Sequence, residues 1–198
     1  MEHKSRKLPK VVDHADVLKM LDCCNTKTRT GLRNYCMVVL MWREGLRVSE
    51  VANLMLDDVD LAKGSVYVQL GKGQVDRYVY LDSTSKEWLA KWIDKRPQSE
   101  YFVSCIKGKP GHQLDVRQIR QVVYNLSAKA GVYIRNGKDK IQVSPHKLRH
   151  TYATEMLEDG FNIEEVRVSM GHSNIATTSV YTHVRDAELA KKVAGRKV

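Results

Sequence analysis

The sequence predicts an α+β fold, mostly α-helical with one small antiparallel β-sheet, and three observations predict it. Apolar residues return at helical spacing through most of the 198 residues, as in Leu32, Tyr35, Cys36, Val39 and Leu40. The period drops to two in only one neighbourhood, SVYVQL (65–70) followed by DRYVYL (76–81). Capping residues bracket the helical stretches, with Asp115, Ser144 and Asn162 at starts and Gly45, Gly131 and Gly160 at stops.

In chain order, residues 1–10 (MEHKSRKLPK) read as a basic arm or the remnant of a linker, and residues 11–198 as one domain. Asp13 is placed to cap a first helix carrying Val17, Leu18 and Leu21. A second helix runs from about Thr30 to Glu44 and stops at Gly45, since glycine adopts the left-handed conformation that ends helices. VSEVANL is a short helix after it. The two alternating segments form a hairpin, with the glycines of GKGQV in its turn. A helix with Trp88, Leu89, Trp92 and Ile93 ends before Pro97, because the residue preceding proline is pushed out of helical geometry. YFVS (101–104) reads as a short strand. Asp115 caps a helix through Ile119, Val122, Val123 and Leu126, closed by Gly131. Ser144 then caps a helix with Pro145 at its first position, where a missing N–H costs nothing, and Gly160 stops it. Asn162 caps a short helix ending near Met170, and a last helical piece follows Asp186.

Composition narrows the function classes. With 42% apolar residues the chain can build a core, and its net charge of +10 is unevenly spread. Residues 105–150 hold ten Lys/Arg against Asp115 and Asp139, and both termini are basic. Clustered cations point to a polyanionic partner, most simply nucleic acid. Cys23, Cys24, Cys36 and Cys105 make no C-x-x-C pair, and adjacent cysteines rarely bridge, so thiols in a reducing, cytoplasmic compartment fit better than a disulfide frame. No apolar run reaches membrane-spanning length, and the N-terminus is no signal peptide, so no membrane partner is expected.

Four stretches concentrate polar chemistry. In GLRVSE, Arg47 stands in the joint between two helices, at a helix N-terminus that favours anions, with Glu50 close enough to orient it. In GKG, Lys72 sits on the hairpin tip between two glycines. In HKLRH, His146 and Arg149 share a helix face near the positive end of the helix dipole. That polarity, with Lys147 and Arg149 beside it, argues against a metal held by His146 and His150, and leaves His150 to pack or hydrogen-bond locally. In GHSNIATTSVYTH, His172 and Tyr181 stand nine residues apart in a stretch too small and polar to anchor a core. Each stretch alone is weak, since most surface arginines, turn lysines and half-buried tyrosines do nothing chemical.

Together they have one economical use. Arg47 and Arg149 can neutralise a phosphodiester without a metal, and Tyr181 can attack its phosphorus. Ionising a phenol at neutral pH costs about 4 kcal/mol. Preorganised donors around the phosphate, worth roughly 2.7–4 kcal/mol each, can offset it. His146 can take the phenol proton as general base. Lys72 can protonate the departing 5′ oxygen, and His172 can bond a non-bridging oxygen.

GLRVSE, GKG, PHKLRHTYAT and MGHSNIATTSVYTH, in this order, closely resemble the motifs of the tyrosine recombinases, the phage-integrase and Xer-type family. The gaps fit as well: 25 residues from Arg47 to Lys72, 23 from Arg149 to His172 and nine from His172 to Tyr181. The resemblance covers about residues 8–186 and implies the tyrosine-recombinase catalytic-domain fold. It implies Arg47 and Arg149 as the arginines on the scissile phosphate and Lys72 as the general acid. It gives His146 and His172 as the two histidines, Tyr181 as the nucleophile forming a 3′-phosphotyrosine, and Glu50 as the acid supporting the arginines. Neither metal nor other cofactor is implied. The implied partner is double-stranded DNA, with a homo-oligomer, a tetramer, forming on it and a monomer allowed without it.

Two departures stand out. Val75 occupies the place where the family often has a further lysine (G-K-G-x-K). The N-terminal helical domain that usually closes a clamp on DNA has no counterpart, so residues 11–198 read as a catalytic domain, either natural in this form or excised. Two rival readings share the fold: a type IB topoisomerase-like enzyme that reseals the original strand, and a catalytically silent DNA-binding regulator. All six candidate residues are intact, which weighs against the second. In the final DAELAKKVAGRKV, Leu189 and Val193 form a narrow apolar stripe, and by the same resemblance this piece docks on a neighbouring protomer.

Overall fold

The structure, a computed structural model, describes residues 11–69, 76–136, 139–171 and 193–195. The helices are α1 (His14–Asp22), α2 (Arg29–Trp42), α3 (Val48–Asn53), α4 (Ser83–Lys95), α5 (Val116–Lys129), α6 (Pro145–Glu158) and α7 (Ile163–Met170). The strands β1 (Val59–Asp60), β2 (Ser65–Val68) and β3 (Arg77–Tyr80) make an antiparallel sheet in the order β1-β2-β3. A separate hairpin pairs β4 (Tyr133–Asn136) with β5 (Asp139–Gln142).

Helix α2 is the axis of the molecule. Residues 36–42 are buried without interruption, the mark of a helix covered on every side. It packs against α3, α4, α5 and α6. Thr28 caps its start by accepting from the Gly31 amide at 3.0 Å. At its other end Gly45 has φ +65°, and a Cβ there would lie 2.4 Å from the Tyr152 ring. Both constraints demand glycine, and they seat α6 directly on the α2–α3 joint.

The caps form where the sequence puts them, with two exceptions in detail. Asp115 and Asn162 each close a capping box, with Gln118 and Glu165 respectively. Asp13 and Ser144 occupy their cap positions, yet neither side chain bonds a helix amide. Asp82 caps α4 through the Ser85 amide at 2.7 Å and also pairs, fully buried, with Arg43.

Two expectations need correction, and a third falls mostly outside the described residues. Leu18 is 41% exposed and the buried face of α1 is Val17, Met20 and Leu21, because α1 meets its neighbours along the 17–20–21 edge. The 101–104 segment forms no strand; its β-pairing is limited to isolated bridges, Met55 to Tyr101 and Ser104 to Gln113. The last helical piece lies outside the described residues except for 193–195. There Val193 is buried with Tyr152, Met156, Phe161, Val166 and Met170 of its own chain. Leu189 lies outside the described residues.

Candidate active site

Arg47 and Glu50, neighbours in sequence, meet Arg149 from the far part of the chain at one point. Arg47 precedes α3, and its backbone N–H donates to Glu50 Oε2 at 2.7 Å. Its Nη1 donates to Glu50 Oε1 at 2.7 Å, so the carboxylate orients both the main chain and the side chain of the arginine. Arg149 comes from the second turn of α6, where the Gly45–Tyr152 contact holds that helix close. Its Nη1 donates to the Gly45 carbonyl and its Nη2 to the Met170 carbonyl, and it stands 3.7 Å from Glu50 Oε2.

A third arginine completes the cluster. Arg77, the first residue of β3, donates from Nη1 and Nη2 to the two Glu50 oxygens at 2.9 Å each, and from Nε to the Ser169 carbonyl at 2.9 Å. Arg47 Nη2 donates to the Gly171 carbonyl at 3.1 Å. Three successive carbonyls at the end of α7, those of Ser169, Met170 and Gly171, are thus each met by a different arginine. A helix C-terminus carries exactly this kind of unfilled acceptor, with partial negative charge. Gly171 turns the chain at φ +61°, and the next residue is His172.

The electrostatics favour an added anion. Burial alone would push the Glu50 carboxyl up, but the hydrogen bonds and charge of Arg77, then of Arg47, outweigh it and bring it down to about 2. Glu50 is therefore an anion at any physiological pH. Burial, the Arg47 charge and the Arg77 charge lower Arg149 to about 10, against the opposing pull of Glu50. Three cations around one carboxylate leave excess positive charge, and a bound phosphate would relieve it. Arg77, Arg149 and Glu50 are buried, while the Arg47 side chain is 32% exposed and lines a groove of about 460 Å³ with Ser49, Asn53, Tyr67 and Gln69.

His146 is exposed at the start of α6. Its Nε2 lies 2.9 Å from His150 Nε2, so one ring donates and the other accepts, which is the local bond expected of His150. Among the described residues no group of three or more His, Cys, Asp or Glu could hold a metal ion. Lys72, His172 and Tyr181 lie outside the described residues. Arg77 escaped the motif reading, although a signal existed. The alternation in DRYVYL puts position 77 on the same face as buried Val79, and an arginine on the inward face of a strand needs a partner.

Further cations are presented to solvent. Lys107, Lys109, Arg117, Arg120, Lys129, Arg135 and Lys140, all from the cation-rich 105–150 segment, are exposed. No helix among the described residues is long and apolar enough to cross a membrane.

Comparison with known proteins gives the family and the fold. The sequence model of the Phage integrase family matches residues 10–188. Tyrosine recombinase XerA of Thermococcus kodakarensis is 35% identical over 187 residues, covering 94% of this chain and 62% of that protein. Tyrosine recombinase XerC of Proteus mirabilis is 36% identical over 188 residues, covering 94% of this chain and 58% of that protein. The chain thus spans about three-fifths of the length of the curated relatives it matches. Among solved structures, the XerA recombinase crystal structure superposes with a TM-score of 0.71 at 24% identity, covering 100% of this chain and 68% of that one. The XerH site-specific recombinase bound to difH substrate, a pre-cleavage complex, gives 0.66 at 24% identity, covering 93% and 53%. These likenesses show the fold of the tyrosine-recombinase catalytic domain.

Proposed function

Because the chain belongs to the Phage integrase family, we propose that it is a site-specific recombinase that cleaves and rejoins double-stranded DNA by metal-independent transesterification. The observation that carries this reading is the convergence of Arg47 and Arg149 on Glu50, with positive charge in excess and one arginine open to a groove. Planar guanidinium forks suit a phosphodiester better than lysines would.

In this reading Tyr181 Oη attacks the scissile phosphorus, a bond to the phenolic oxygen forms and the P–O5′ bond breaks. His146 takes the phenol proton, and Lys72 gives a proton to the departing 5′ oxygen. Arg47, Arg149 and His172 bind the non-bridging oxygens, whose charge grows in the transition state. The 3′-phosphotyrosine keeps the phosphodiester energy, so the 5′ hydroxyl of a partner strand can reverse the step without a nucleotide. Residues 11–198 act as the catalytic domain, and a tetramer assembled on DNA brings two duplexes together for strand exchange. The exposed cations of the 105–150 segment support a duplex partner.

The test uses nicked duplexes of randomised sequence, from which strand loss after cleavage traps the covalent complex. The protein should form a denaturant-stable DNA adduct without added metal, and sequencing the trapped strands reads the site. Tyr181→Phe should abolish the adduct and keep duplex binding. Adduct formation by Tyr181→Phe, or its absence from the unaltered protein across the whole pool, would sink the chemistry. Four-way junction products from paired sites would establish strand exchange.

A further inference from the structure

We propose that Arg77 is a positioning residue of this site: it holds the Glu50 carboxylate and the end of α7 so that Arg47 and Arg149 stay turned towards a phosphate. The inference rests on the recombinase reading above and deepens it, since none of the four stretches that carry the resemblance includes Arg77.

Three observations carry it. Glu50 has a side-chain exposure of 4%, and among the hydrogen bonds of the described residues Arg77 alone spans both of its oxygens with one guanidinium, at 2.9 Å and 2.9 Å. Without Arg77 the buried carboxylate would keep Arg47 and would have Arg149, at 3.7 Å, as its next cation. It would draw both towards itself and neutralise the charge that a phosphate needs. The third prong, Nε on the Ser169 carbonyl, fixes α7 two residues before Gly171. A Cβ built on Gly171 would lie 2.8 Å from Arg77 Nη1 and 2.9 Å from its Cδ, so the chain leaves α7 pressed against this guanidinium. One side chain therefore sets the orientation of the arginine pair and the point from which the segment bearing His172 departs.

Arg77 is also five residues beyond Lys72 in sequence, at the end of β3 nearest the connecting turn. A lysine at 77 would keep the charge and lose the planar fork, so charge alone would not rescue the site.

The experiment compares Arg77→Gln and Arg77→Lys with the unaltered chain, using the nicked duplexes above. The adduct-forming rate at saturating DNA should fall about 10- to 100-fold in both, the range for groups that orient others, while duplex Kd changes by less than about 3-fold. The rate of Arg77→Gln should gain an acid limb, because Glu50 then titrates nearer the ordinary carboxylate range. Glu50→Gln placed on Arg77→Gln should cost little more, since the two act as one unit. Unaltered rates, losses confined to Kd, retained activity in Arg77→Lys, or costs that multiply in the double variant would each overturn the proposal. A DNA-free readout separates it from the recombinase reading. Acid unfolding of Arg77→Gln should begin at higher pH than in the unaltered chain, and an unchanged acid transition would overturn the role of Arg77 whether or not any adduct forms. Should Arg77→Gln fail to fold, Arg77→Lys supplies both readouts.

Discussion

At Glu50, three guanidinium groups surround one carboxylate of 4% side-chain exposure. Its folded value of about 2 lies below that of a free carboxyl, so it stabilises the fold above the ordinary carboxylate value. That stability is lost as pH falls from about 5 towards 2, on the order of 3 kcal/mol. Glu50→Gln should accordingly cost about 3–5 kcal/mol at pH 7, because it strands buried arginines. The gap between variant and parent, measured by urea unfolding, should narrow by pH 3; an equal gap at both pH values would show that the arginines do not hold the carboxylate. Arg47, Glu50 and Arg149 were legible because their neighbours repeat a known motif. Arg77 was not, because its role depends on which strand face meets α7, and that is settled by packing rather than by local sequence.

Among the elements, α7 depends most visibly on its ends. Its start was readable from Asn162 and Glu165 together, a reciprocal cap that local sequence determines. Its end was readable only as a glycine, whereas the three arginines on its last carbonyls come from elsewhere in the chain. Gly171→Ala tests that end. An alanine would carry the left-handed strain of about 1–2 kcal/mol and displace Arg77 as well. We expect a lower thermal midpoint together with a slower adduct-forming rate at saturating DNA, and a midpoint shift with unchanged rate would confine the glycine to a structural part. The β4–β5 hairpin went unread although Asn136-Gly137 is a turn signal, because charged residues dilute its alternation to Ile134 and Ile141. β1, two residues long, has too little pattern to be visible.

For the whole molecule, the buried run of α2 and the helix order follow from periodicity, so the fold class was open to reading. What periodicity does not give is the way α3, β3, α6 and α7 close around one carboxylate. The same molecule carries a net charge of +10, with its densest cation segment exposed. Binding to duplex DNA should therefore weaken steeply with salt, with a log–log slope of about 0.9 per phosphate neutralised. Fluorescence anisotropy between about 50 and 200 mM salt measures it. A slope near zero would remove the phosphate backbone as the principal contact.

The arginine clasp on α7 also has a consequence in time. The bonds of Arg47 and Arg149 join residue 47 to residue 171 and residue 45 to residue 149, separations of 124 and 104 positions. Contacts that distant form late, after the loops between them have closed. A ribosome delivers Arg47 and Glu50 well before the carbonyls that complete their surroundings. A growing or half-folded chain thus holds the parts of the arginine cluster without its geometry, and under the proposed function the capacity to break a strand would arrive only with the finished fold.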